Sequence, residues 1–396
     1  MIHIIDKKKC SGCTACACAC PKACIQMIAD EEGFLYPNVN EIQCINCNLC
    51  NEICPIQNPA KEKEKIQWAY LVQHRDEAIR LDSTAGGAFT AISMVILQRK
   101  GVVFGAAYDD EYHVYHTYAE KPDELKKFRN SKYVQSDLRN SYEEVKKFLQ
   151  NDRWVCFSGT PCQIEGLSRF LRKPYDKLVL VDVVCHGVPS PLIWSKYLEY
   201  QNAYNDKPEN IRFRDKYYGY KYSTMSIIRH GKTCYHAGSQ LDPMLRAFFS
   251  DICDRPACYD CKFKKRYRVS DITIWDCFSV YNIDKEMDDD KGTTRVLCQS
   301  DKGKKIIHDA MNYAVCKEVS PDILVKGVKE MFESVELNEK RQAFFHDANS
   351  MDGKMLFEKY YPITLNVIFK TNARKILLKT GLYRISKILL NKVRGR

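Results

Sequence analysis

Four runs of this chain are short and apolar enough to be buried strands: WAYLV from Trp68, GVVFGAAY from Gly101, RWVCFS from Arg153 and KLVLVDVV from Lys177. Segments of helical period alternate with them. In PLIWSKYLEY, Ile193, Trp194, Tyr197 and Leu198 recur on one helical face, and in KKIIHDAMNYA so do Ile306, Ala310 and Tyr313. Both stripes predict core helices, and the alternation predicts an α/β body from Trp68 onward. Ahead of it, the Lys and Glu run in NPAKEKEKIQ predicts a solvated connector. The first 58 residues follow neither rhythm and are dominated by cysteine.

Length and composition narrow the class. The chain has 396 residues, room for two or three domains, and a hydrophobic content of 45% is enough for a real core. No apolar run approaches the roughly 18 residues of a membrane span, and MIHIIDKKK is too short and too charged for the hydrophobic part of a secretory signal. A cytoplasmic protein is expected, and there 20 cysteines point to metal binding instead of disulfides. The net charge of +11 is concentrated: residues 1–60 are slightly acidic, whereas residues 363–396 carry nine Lys or Arg and no acid. With no helix-turn-helix, zinc-finger or RNA-binding signature beside it, this charge does not predict a nucleic-acid partner.

The cysteines near the N-terminus follow a doubled pattern. KKCSGCTACACACP spaces Cys10, Cys13, Cys16 and Cys20 as C-x2-C-x2-C-x3-C-P, and QCINCNLCNEICP repeats the spacing with Cys44, Cys47, Cys50 and Cys54. In the bacterial two-cluster ferredoxin arrangement, three close thiolates wrap one [4Fe-4S] cube and the fourth reaches the other. Cys10, Cys13, Cys16 and Cys54 are then one ligand set, and Cys44, Cys47, Cys50 and Cys20 the second. Zinc rarely uses three thiolates each two residues apart. Cys18 and Cys24 fit neither set and read as small buried hydrophobes.

A further pair, Cys258 and Cys261, stands in RPACYDCKFKKR without partners nearby. FSGTPCQIEGL places Cys162 just past one strand, and VDVVCHGVPSP places Cys185 at the end of the next. Neighbouring strand ends lie side by side, so these two thiols are candidates to complete the site. Cys253-x4-Cys258-x2-Cys261 with Cys277 is the competing set, at plant-type ferredoxin spacing. Spacing leaves both open. In STAGGAFTAISMVILQRKG, Gly86 and Gly87 sit at a predicted helix start behind Ser83 and Thr84, where bare N–H groups suit either a phosphate or an ordinary tight helix entry.

The succession STAGGAFTAI, RNSKYVQSDL, SGTPCQIEGL, DVVCHGVPSP, IRFRDK, RPACYDCKF, SDITIWD and DKGTTRVL resembles the coenzyme F-420 hydrogenase/dehydrogenase beta-subunit family. The resemblance covers roughly residues 3–320 and is closest to bacterial members with a fused ferredoxin, often associated with polysaccharide biosynthesis. It implies an α+β or α/β fold: a ferredoxin domain over 1–58 with two [4Fe-4S] clusters, a linker over 59–67, a flavin-binding part over 68–150, a part over 151–345 holding a third [4Fe-4S] cluster, and a basic helical tail over 346–396. Motif by motif, Cys162, Cys185, Cys258 and Cys261 hold the third cluster, while Ser83, Thr84, Gly86, Gly87 and Thr90, with Lys132, Tyr133 and Gln135, lie along FAD. The implied activity is an oxidoreductase that passes electrons between a two-electron carrier and iron-sulfur centres, with a small carrier or a redox protein as partner. The family reads glycine where this chain has Trp275, and Cys277, Phe278 and Ser279 also depart from it, so the large ring is expected to fill space near the flavin. That departure supports the alternative reading, an electron carrier without its own flavin.

No acid or base is expected to be catalytic, because hydride chemistry belongs to the cofactor; His186, beside Cys185, reads as a hydrogen-bond donor or a structural histidine. In the tail, Leu382, Ile385 and Leu389 share a helical face with Lys and Arg on the others. This predicts either peripheral contact with the inner membrane face or a terminal helix docked on the core.

Overall fold

The computed structural model describes residues 1–380 and 382; of the tail stripe, Ile385 and Leu389 lie outside the described residues. β1 (Ile25–Ala29) and β2 (Leu35–Val39) form the antiparallel hairpin of the cysteine-rich unit. The body is built on eight strands: β3 (Trp68–His74), β4 (Val102–Tyr108), β5 (Val114–Ala119), β6 (Val155–Gly159), β7 (Leu178–Val183), and, beyond a separate three-stranded sheet of β8 (Asn210–Asp215), β9 (Thr224–Arg229) and β10 (Lys232–Gly238), also β11 (Ile272–Asp276), β12 (Thr294–Cys298) and β13 (Ala314–Val319). Their spatial order is β13-β3-β12-β11-β7-β6-β4-β5. The central β11, β7, β6 and β4 are parallel, and every flanking pair is antiparallel.

The parallel centre is covered on both faces, which explains why the strand runs are almost wholly apolar. Alternate residues go to alternate sides. Cys156, Val179, Val181, Ile272 and Val296 meet the helices Ala88–Gln98 and Asp301–Ala310. Val155, Phe157, Leu178 and Leu180 meet Ser141–Gln150 and Pro161–Leu171. The predicted stripe Ile193, Trp194, Tyr197 and Leu198 is buried on the helix Pro191–Tyr200. Ile306 and Ala310 face the core from the second predicted helix, while Tyr313 falls in the turn after it.

One boundary differs from expectation. The helices Arg341–Ser350 and Gly353–Tyr360 belong to the packed body, with Phe344, Phe345, Leu356 and Phe357 in one apolar cluster with Trp194, Phe213 and Phe34 of the cysteine-rich unit. The tail therefore starts well after 346; its helix Leu365–Lys379 rests on the protein through buried Thr371 and through Lys375, which donates to the Tyr218 hydroxyl at 3.2 Å. The connector is exposed over residues 61–66 and is tethered: Glu62 accepts from the Arg266 and Tyr267 N–H groups at 2.9 and 3.0 Å, and Lys65 donates to the Arg268 carbonyl at 2.7 Å. Among the described residues no helix is long and apolar enough to cross a membrane.

Candidate iron-sulfur and cofactor site

The duplicated cysteine spacing is repeated by the backbone. Gly12 and Asn46, one residue before the second cysteine of each run, have φ of +68° and +53°; Thr14 and Asn48, one residue after it, have +58° and +61°. Each loop then enters a one-turn helix, Ala15–Cys18 or Leu49–Glu52. The left-handed residues curl the loop so that successive thiols turn inward. Burial raises the Cys16 thiol well above its ordinary range, and Cys13, Cys10 and Cys54 add to the effect, so the crossed-over Cys54 sits with the first run. Cys20 joins the second run: Cys20, Cys44, Cys47 and Cys50 line one small cavity. There the Ile2 N–H donates to Cys50 Sγ at 3.2 Å and the Asn46 N–H to Cys44 Sγ at 3.5 Å, hydrogen bonds of the kind that tune cluster potentials. Of the two spare cysteines, Cys18 is half-buried, whereas buried Cys24 has its sulfur 3.3 Å from Cys20 Sγ.

The third thiol set is assembled by chain pairing. β6 ends at Gly159, and the Thr160 and Gln163 capping box with Pro161 starts the next helix at once, placing Cys162 in its first turn. The loop after β7 carries Cys185 and is zipped to the segment before Cys258: Ser190 N–H donates to the Cys253 carbonyl at 2.9 Å, and Arg255 N–H to the Val188 carbonyl at 3.0 Å. A 3-10 turn over Pro256–Asp260 then brings in Cys258 and Cys261. Burial pushes the Cys185 thiol up to about 12; Lys264 opposes this, and Cys162 and Cys261 reinforce it. Cys258 is raised by burial and then by Asp254, Cys185 and Cys261. The four thiols thus share one electrostatic neighbourhood.

The competing set is not brought together. Cys253 is buried among apolar and aromatic residues, with its thiol raised by burial and then by Asp254. Cys277 is buried elsewhere and accepts from Arg295 Nε at 3.1 Å. Neither has a neighbouring thiol among the causes of its shift. Three groups of four free cysteines, all but Cys47 at least partly buried, suit iron: a cation offsets the cost of ionising clustered thiols away from water.

The first and third thiol groups adjoin. Gly166, one turn beyond Cys162, faces Cys13; a Cβ there would lie 3.0 Å from Cys13 Cβ, from its Sγ and from the Tyr142 hydroxyl. Cys162 is among the groups that raise the Cys13 thiol, after burial itself.

Beside the third thiol group, at the carboxyl ends of the parallel strands, opens a cavity of about 1000 Å³, where Cys162 and Cys185 form part of the wall. Seven of the eight residues expected along a flavin line it: Ser83, Thr84, Gly87, Thr90, Lys132, Tyr133 and Gln135. Gly86 does not. It is pressed on the sheet, where its N–H donates to Thr294 Oγ1 at 2.8 Å and a Cβ would meet the Val72 carbonyl at 2.1 Å. Gly87, at φ +83°, is the entry to the helix Ala88–Gln98 at the cavity edge. Trp275 forms part of the wall, and the space persists beside it.

Fixed cations surround this space. Burial lowers Lys132 to about 7, partly opposed by Asp82, and its Nζ donates to the Arg129 and Asn130 carbonyls, each at 3.3 Å. Arg214 bridges the Tyr133 hydroxyl and Asp276, each at 2.7 Å. Arg295 donates to Cys277 Sγ, Ser279 Oγ and the Leu324 carbonyl, with no carboxylate partner among the described residues. Sequence reasoning misses Arg214 and Arg295 as site residues, although each stands inside a quoted motif, IRFRDK and DKGTTRVL. His186 is also in the wall, held through Nε2 by Asp251 at 2.7 Å.

Known proteins match in pieces. Residues 152–322 match the family described as the C terminus of the coenzyme F420 hydrogenase/dehydrogenase beta subunit. A coenzyme F420-dependent sulfite reductase of Methanocaldococcus jannaschii is 26% identical over 198 residues, half of this chain and 30% of that protein, so the chain spans under a third of that relative's length. An uncharacterized ferredoxin of the same organism is 40% identical over 52 residues, covering 13% of this chain and 66% of that one. The pyruvate synthase subunit PorD of Methanothermobacter marburgensis is 34% identical over 61 residues, 15% of this chain and 65% of that protein. A solved F420-reducing [NiFe] hydrogenase complex from Methanosarcina barkeri aligns over 76% of this chain and 92% of that one, at 15% identity and a TM-score of 0.45. What these matches show is that residues 152–322 are similar to the C-terminal part of the coenzyme F420 hydrogenase/dehydrogenase beta-subunit family, and that a ferredoxin-like segment is also present in the chain.

Proposed function

We propose that the chain is an iron-sulfur flavoprotein oxidoreductase that moves electrons between a small anionic two-electron carrier and a one-electron redox protein. The observation that carries this reading is that Cys162 and Cys185 share a wall with the residues expected along a flavin, while Cys162 also neighbours Cys13. When bound, FAD and three [4Fe-4S] clusters supply the exchange between paired and single electrons.

The chain's own residues do the holding. Cys10, Cys13, Cys16 and Cys54, then Cys20, Cys44, Cys47 and Cys50, then Cys162, Cys185, Cys258 and Cys261 are the three ligand sets. Lys132 and Arg295 offer positive charge to a pyrophosphate, with the helix start at Gly87 nearby. Phe248, Phe249 and Trp275 contribute apolar wall that keeps water from the reacting ring. The second ligand set is the outermost, with Cys47 exposed and Ile42 at 98% exposure beside it, which suits contact with a redox protein. The relatives are named for coenzyme F420, which makes that carrier the first to test.

Anaerobic purification tests the reading. Flavin absorbance with about twelve irons per chain is expected, whereas about eight irons and no flavin would leave only an electron-carrying adaptor. The same protein should float with anionic vesicles at low salt and lose that affinity when residues 363–396 are deleted, since the exposed apolar residues Leu365, Phe369 and Ile376 stand among basic ones.

A further inference from the structure

Among the fully buried side chains is a guanidinium, Arg255, at 0% exposure. Three other buried arginines have an acid, Arg80 with Asp289, Arg214 with Asp276 and Arg268 with Asp182, while Arg295, in the cavity wall, is like Arg255 in having none among the described residues. Arg255 forms no ion pair with a carboxylate among the described residues. Its Nε donates to the Cys10 carbonyl at 2.7 Å, Nη1 to Gln135 Oε1 at 2.8 Å and Nη2 to the Leu35 carbonyl at 2.9 Å, with Tyr36 stacked at 4.3 Å from the charge. A buried cation held only by neutral groups is strongly destabilising unless an anion lies close.

The nearest candidates for that anion are thiols. Nη2 approaches Cys10 Sγ at 3.6 Å, in the first ligand set. Toward the core, the Arg255 carbonyl accepts from the Cys258 N–H at 2.8 Å, which fixes the residue against the third ligand set. The chain makes room for the guanidinium between the two sets: Gly12, at φ +68°, would place a Cβ 2.7 Å from Arg255 Nη1 and from Gln135 Nε2. Arg255 stands immediately before the turn Pro256–Asp260 that leads through Cys258 to Cys261, so one residue ties both ligand sets and the cavity wall together.

We infer that Arg255 is a positioning residue whose charge is shared by the clusters at Cys10/Cys13/Cys16/Cys54 and at Cys162/Cys185/Cys258/Cys261, stabilising the more negative, reduced state of each. It rests on the ligand sets proposed above. The step it serves moves one electron between the two sites, with no bond or proton changing place. A fixed cation raises both potentials together, so the hop stays near balance and the outermost site is left unaffected.

Three full-length variants test this by iron analysis and redox titration followed by electron paramagnetic resonance. Arg255→Gln removes the charge, Arg255→Lys keeps it, and Gln135→Glu places a carboxylate beside it while Arg255 itself is retained. The expected result is a downward shift of the first and third midpoints in Arg255→Gln and Gln135→Glu, little shift in Arg255→Lys, and an unmoved outer midpoint. Loss of iron in Arg255→Gln but not in Arg255→Lys also supports the charge. Unmoved midpoints in an iron-replete Gln135→Glu chain, or equal iron loss in both Arg255 variants, would overturn the inference and leave a structural pin. Wild-type protein with only about eight irons would instead overturn the third ligand set itself.

Discussion

Cys162 and Cys185 reach one another because parallel neighbours β6 and β7 deliver their ends to the same edge. Replacing either by serine should lower iron by about four atoms per chain while the ferredoxin-type signals persist. Lys132 gives a pH test. Free in the cavity it titrates near 7, against an ordinary 10.5, and an anionic ligand beside it favours its charged form. Retention of FAD should therefore be full below about pH 7 and weaken above it by up to about tenfold per unit, until the pKa of the liganded lysine is reached. Ultrafiltration at about pH 6 and about pH 8.5 reads this slope, and Lys132→Met should flatten it. The thiols were legible one by one from spacing and strand ends. The choice against Cys253 was not, because its apolar surroundings are completed by Phe344 and Phe345, which lie about ninety residues later. Arg295 and Arg214 were hidden for a similar reason: a cation on a strand declares no partner until the sheets are assembled.

At the scale of elements, the helix Pro161–Leu171 does two things with one face, carrying Cys162 at its start and yielding space to Cys13 at Gly166. Gly166→Val should cost about 1–3 kcal/mol from overpacking. It should also weaken magnetic coupling between the first and third clusters, since the larger side chain separates them; iron content checks that both remain loaded. Helix and strand periods predicted such elements well where one face is apolar, as at Ile193, Trp194, Tyr197 and Leu198. Gly86, which the family resemblance implied along the flavin, is pressed on the sheet instead, where the Val72 carbonyl leaves no room for a Cβ. Helix was expected after 346 as a basic tail, and the apolar face of Arg341–Ser350 and Gly353–Tyr360 packs it on the body instead, because the basic charge further on drew the boundary too early.

The whole molecule is fastened across its length. Arg341 holds Glu32 of the cysteine-rich unit through two hydrogen bonds of 2.7 and 2.6 Å, Asn349 donates to the Glu31 carbonyl at 3.0 Å, and the Ser190 hydroxyl donates to the Glu32 carbonyl. Glu32→Gln should cost about 1–3 kcal/mol, measured as an earlier midpoint in anaerobic denaturant unfolding. A head clasped at Glu32 and tied down again along Glu62 and Lys65 does not roam on its leash. Internal delivery is then a fixed-distance, concentration-independent event, and a chain cut within the connector should keep its two halves associated and still pass charge between them.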